Sequence, residues 1–158
     1  MEMIEVLLEM MLAGLALYMT ISLIWYIIIV IADWRIFTKA GEAGWKSLIP
    51  ILNTYVTFKI AWNRKMFWIM VATLTLGSVF TSIAGEDRVF LAIIGAVFAL
   101  ASCIINIICL HKLSKAFGHG ILFTLGLLFL NPLFTLILGL GKSEYIGPDG
   151  EAIQSDDF

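Results

Sequence analysis

A chain of 158 residues that is 61% apolar and only 14% charged, with a mean hydropathy of +0.98, is better solvated by lipid than by water. Its 10 basic residues stand against 12 acidic ones for a formal net charge of -2, and they are too dispersed for the basic stripe of a nucleic-acid binder. The length leaves room for one domain and none for a separate soluble one.

The first uncharged run, Met10 to Ala32, is about 35 Å long as a helix and exceeds a hydrocarbon core of about 30 Å. Glu2, Glu5 and Glu9 precede it where a secretory signal would carry basic residues, so it is expected to stay as a mature span. Three more uncharged runs follow at 66–85, 89–110 and 121–141, each long enough to cross. Backbone amides in lipid need internal partners, and a closed barrel needs more strands than this length supplies. The expected fold class is therefore all-α: a polytopic membrane helix bundle of four transmembrane helices in a single domain over 1–148, followed by a flexible acidic tail at 149–158.

Between the first two spans lies 45–62, interrupted by Lys46 and Lys59 and too short to cross. Helical spacing puts Lys46, Pro50, Asn53, Thr54 and Thr57 on one face and Trp45, Leu48, Ile49, Leu52 and Val56 on the other. Pro50 suits a first helical turn, so a short helix is expected from there to about Trp62. It either lies in the cytoplasmic interface as an amphipathic helix or forms a re-entrant hairpin against the bundle.

Lys and Arg resist translocation and set orientation. Arg35, Lys39, Lys46, Lys59, Arg64 and Lys65 follow the first span, and Lys112 and Lys115 precede the fourth, leaving Arg88 and Lys142 for the opposite side. The expectation is a multi-pass protein of the cell membrane with both termini outside and the basic loops cytoplasmic. Trp34, Trp45, Trp62, Trp68 and Tyr55 gather at that boundary as headgroup anchors.

In the third span Gly95, Ala99 and Cys103 recur every fourth residue with Asn106 beside them, a smooth face for packing within the bundle or for a homo-oligomer. Cys103 and Cys109 read as small apolar packers, with acylation of Cys109 as the alternative. Asn131 and Pro132 interrupt the fourth run; the reading is a kinked span, and the alternative is a half-membrane hairpin that returns the C-terminus to the cytoplasm. No ionisable residue is expected deep in a span, which argues against a proton-coupled transporter. His111 and His119 lack the further ligands a metal needs, and no phosphate loop or nucleophile elbow occurs. The sequence calls for no catalytic residue, metal or cofactor; the expected partners are the bilayer and either a second copy or another membrane protein.

Three elements carry a family resemblance: G-W-K-S-L-I-P-I-L-N-T-Y at 44–55, L-S-K-A-F-G at 113–118, and G-L-G-K-S-E-Y-I-G-P at 139–148. With them the chain resembles a family of small bacterial membrane proteins of unknown function that are often labelled signal peptidase I. The serine, lysine and soluble β-domain motifs of that peptidase are missing from the sequence, so the label finds no support in it. Gly77 to Thr81 stands where such relatives often show a second I-P-x-x-N. The candidate structural or partner site is Trp45, Pro50, Asn53, Tyr55, Phe117 and Gly118 from these elements, together with Asn131 and Pro132 from the interrupted fourth run. The function expected is a non-enzymatic membrane module or subunit. The alternatives are a small-solute or ion pore or carrier, then a membrane-embedded enzyme.

Overall fold

The computed structural model describes residues 2–85 and 88–150, and the described residues are helical with no strand. Six helices follow in order: α1 (Glu2–Lys39), α2 (Pro50–Ala61), α3 (Arg64–Ala84), α4 (Val89–Ala116), α5 (Ile121–Phe129) and α6 (Asn131–Leu140). Short 3-10 turns stand at Gly44–Leu48 and Pro148–Gly150. Three of the helices, α1, α3 and α4, are long and apolar enough to cross a membrane, as expected of an integral membrane protein.

The spans begin and end near the uncharged runs but outlast them. α1 has 38 residues, about 57 Å, more than the roughly 40–45 Å of a whole bilayer. Helix propensity does not stop at the edge of an apolar run, and neither Glu9 nor Asp33 breaks a helix. Asn63 caps α3 by accepting from the backbone of Met66 at 3.0 Å, which satisfies one of the orphan amides of the first turn. α4 closes with the His119 amide on the Ser114 carbonyl at 2.9 Å and the Gly118 amide on Lys115 at 2.9 Å. Gly118 sits there at φ +76°, so its place in the A-F-G element is that of a helix-terminating glycine.

The fourth run does not form a span. Leu130, with ψ at 42°, divides it into helices of 9 and 10 residues, about 14 and 15 Å long. They fold back on each other: the rings of Phe123 and Phe134 meet at 5.0 Å, whereas in one continuous helix that separation in sequence would put them about 16 Å apart. Both feet of this hairpin stand at the same end of the molecule. Ser114 at the end of α4 donates to the Gly120 carbonyl at 3.0 Å. Beyond α6, the Ile146 amide returns to the Ala116 carbonyl at 2.8 Å. The expected four-helix bundle is thus corrected to three long helices and a helical hairpin. The cause is Pro132, which has no amide to give, together with Gly126, against which the Phe134 ring lies.

The segment after α1 also turns back. Trp34 covers Gly44, the Tyr26 hydroxyl donates to the Leu48 carbonyl at 3.0 Å, Asn53 meets Asp33 at 2.6 Å and Lys59 pairs with Glu42. The chain therefore retreats along α1 from residue 34 to residue 26, turns at Pro50, and climbs again as α2. Pro50 occupies the first turn of α2 as the sequence predicts. Burial, however, does not follow the two predicted faces. It runs along the axis instead: Leu48, Ile49 and Ile51 at the turn are exposed, while Val56, Phe58, Ile60 and Ala61 are buried.

The α3 and α4 pair meets along Gly95, Ser102 and Cys109, all buried. A Cβ on Gly95 would fall 2.4 Å from the Thr81 hydroxyl, and Thr73 and Ser102 share a hydrogen bond of 2.8 Å. This seven-residue spacing belongs to a left-handed crossing. Of the expected packing face, Gly95 and the backbone of Ala99 lie against Gly77 of α3, while the side chains of Ala99, Cys103 and Asn106 are exposed on the single chain.

Candidate functional site

The core lies at the end of the molecule that carries Lys39, Arg64 and Lys115. Ile36 and Phe37 from α1, Val56 and Phe58 from α2, Phe67 from α3, Cys109 and Leu113 from α4, and Leu138 from α6 form one buried cluster. Two polar clamps bind the turned-back segments to it.

The first clamp holds α2 to α1. Glu42, in the loop after α1, receives Lys46 at 2.5 Å and Lys59 beside it. Burial pushes the Glu42 carboxyl up, but hydrogen bonds from Lys46 and Lys59 and their charges more than reverse this and leave it below its ordinary value of 4.5. A carboxylate held low contributes its stability in full above that ordinary value and loses it as the pH falls through the folded one. The clamp is therefore expected to persist at neutral pH and to open only in strong acid, with proteolysis of the loop at 40–46 as the readout. Glu42→Gln should cut equally at both pH values.

One layer deeper, Asn53 donates to Asp33 at 2.6 Å and Thr57 donates to the Asn53 carbonyl at 2.9 Å. Asp33 has no cationic partner among the described residues and lies within α1. The buried Ser47 hydroxyl finds no partner among the described residues.

The second clamp fastens α6 and the segment after it. Lys39 donates to the carbonyls of Leu138 at 2.7 Å and Gly141 at 2.8 Å, where the carbonyl end of a helix attracts a cation. His119 and Ser143 meet at 2.7 Å. Tyr145 donates to the Ile60 carbonyl at 2.9 Å and lies edge-on to Phe117 at 5.4 Å. Burial, helped by the negative Glu42, pushes its phenol up to about 12, so the hydroxyl keeps its proton to donate. Lys112 pairs with Asp149 and lies 4.9 Å over the Trp62 ring. Of the tail expected to be flexible from 149, Asp149 and Gly150 are packed here, and 151–158 fall outside the described residues.

The sequence-derived site thus does not converge on one place. Asn53 belongs to the first clamp and Phe117 and Gly118 to the second, with Tyr145 as the bridge between them. Tyr55 packs on Phe67 at 5.3 Å. Asn131 and Pro132 stand apart at the α5–α6 turn, where Thr135 donates to Asn131 at 3.3 Å. Trp45 is half exposed on the limb leading to Pro50. Sequence reading did not single out Asp33, Glu42 or Tyr145 as contact residues, and took Lys39 only as an orientation charge; for Tyr145 the one local signal is its place in the element at 139–148. Among the described residues no group of three potential metal ligands converges. A recess of about 610 Å³ beside the foot of α5 is lined by Gly120, Ile121, Leu122, Phe123 and Phe134, a surface with little chemistry to offer beyond apolar contact.

A model described as a family of unknown function, DUF5684, matches residues 45–148, the stretch that holds α2 to α6 and most of the second clamp, though not its Lys39 and Asp149. No curated protein and no solved structure matches the chain.

Proposed function

We propose, for a chain that belongs to this family of unknown function, a non-enzymatic role as a membrane module. In this reading α1, α3 and α4 cross the bilayer, and the segment through Pro50 and the α5–α6 hairpin enter it from the cytoplasmic side to half its depth. The observation that carries it is the shared level of the two feet at Gly120 and Gly141, tied to the end of α4 and to Lys39. Two hydrocarbon-facing turns support it: Ile49 and Ile51 at one, Phe129 and Leu130 at the other, all exposed. Lys142 then joins the cytoplasmic side and leaves Arg88 alone outside, a stronger charge bias than four spans allow. The N-terminus lies outside and the C-terminus inside.

Partners would meet the exposed Trp34, Trp45 and Trp68 on the basic face, a second copy or another membrane protein among them. The buried cluster of Phe37, Phe58 and Leu138 supports a packed module over a conduit. One observation favours the alternative of a pore or carrier: Asp33 is an acid inside a helix of the membrane domain with only an amide for company. Flux across liposomes separates the two. The module reading expects no leak of protons or small ions and no change with Asp33→Asn. A flux that Asp33→Asn abolishes would replace it with the carrier.

A further inference from the structure

The turned-back segments give the molecule different widths at its two ends. Residues 3–27 of α1 are exposed along their whole length, and α1 closely approaches neither α3 nor α4. At the end bearing Lys39 and Lys115, α2, α5 and α6 fill the space between these helices, with α6 against α1, α5 against α4 and α2 against both. Placed as proposed above, on which this inference rests, the cytoplasmic leaflet receives three spans and both hairpins, the outer leaflet three spans alone. With helices about 10–12 Å across, the difference is roughly 300 Å² of area in one leaflet.

The hairpins are held rigidly at that width. Lys39 ties α6, Glu42 ties α2, and the cluster around Phe37 and Phe58 fills the centre. Their lengths, 9 to 12 residues, are about 14–18 Å and match half of a hydrocarbon core of about 30 Å. The apolar side chains at the turns, Ile51 at 72% and Phe129 at 78% exposure, face acyl chains there.

We propose that the protein is a leaflet-selective wedge that prefers membranes convex toward its hairpin side. A flat bilayer must compress the hairpin leaflet or dilate the other to accept it. A bilayer bent outward on that side already supplies the extra area, so the occupant of the broad end is lipid of a curved surface.

The test uses the full chain reconstituted into small and large liposomes of one lipid mixture, with Cys103 and Cys109 replaced by alanine. A membrane-impermeant fluorophore on Ser155→Cys marks molecules whose hairpins lie in the outer leaflet of the liposome; on Met3→Cys it marks the opposite orientation. The expected result is a severalfold enrichment per unit area of the first population on small liposomes and depletion of the second. Trimming the tip with Phe129→Ala and Leu130→Ala, side chains that face outward, should narrow the difference. Equal densities for both populations overturn the wedge while leaving the hairpins in place. Labelling of Leu130→Cys from the side opposite Ser155→Cys would instead remove the half-depth hairpin, and the wedge with it.

Discussion

Replacing Gly139 by leucine should unseat α6 from α1 and destabilise the protein by at least about 1–3 kcal/mol, the usual cost of overfilling a packed contact. A Cβ at this position would stand 2.4 Å from the carbonyl oxygen of Ala32 and 2.9 Å from its carbonyl carbon and Cα. These are backbone atoms of a continuous helix and have no rotamer through which to retreat, so the helices must part. Parting them also withdraws the Leu138 carbonyl from Lys39 and the Leu138 side chain, 0% exposed, from the core. The matched control is Gly14→Leu, because nothing lies within 4 Å of that position and leucine there meets lipid. Thermal unfolding in detergent can be followed through reaction of the buried Cys109 thiol, 2% exposed, in a Cys103→Ala background. Coincident melting of the Gly139→Leu and Gly14→Leu variants would contradict the α1–α6 contact.

Where the sequence is legible and where it is not follows from what each feature depends on. The three long helices announce themselves because an unbroken apolar run reports directly on its solvent. Pro50 as a helix start and Asn131–Pro132 as a break were equally plain, since proline acts on its own backbone. What the break leads to was not. A kinked span and a hairpin share the same local sequence, and the choice between them is made by Gly126 yielding to Phe134 and by Lys39 waiting at the far foot, contacts remote in sequence. Asp33 escaped for a similar reason. It lies at the edge of its apolar run and looks solvated until the segment through Asn53 folds back over it. In α4, small residues every four positions and every seven positions coexist, so sequence alone does not say which of them meet α3. The contacts with Thr81 and Thr73 of α3 pick out Gly95 and Ser102. Of the candidate site, Asn53, Phe117 and Gly118 were found through the family elements, yet their roles emerged as those of a clamp and a helix end.

Lys39→Met should release the C-terminal hairpin without unfolding the rest. The ammonium bridges the carbonyls of Leu138 and Gly141, across the end of α6, where unpaired carbonyls and the helix dipole both favour a cation. Methionine keeps most of the apolar stem and removes the charge, so the change isolates these bonds from packing. Hydrogen bonds to a charged group contribute about 1.5–3 kcal/mol, and if opening is local this accelerates amide exchange roughly ten- to hundredfold. The acceleration should fall on α6 and on the Ile146 amide, whose partner is the Ala116 carbonyl, while the paired stretches of α3 and α4 near Thr73 and Ser102 keep their protection. Lys39→Arg, still charged, should recover part of it. Protection at Ile146 that does not change in Lys39→Met would mean that the tail is held without Lys39, by Ser143, Tyr145 and Asp149. Exchange that rises equally in α3 and α4 would mean that the hairpin and the spanning pair open as one unit, and that Lys39 secures the whole fold.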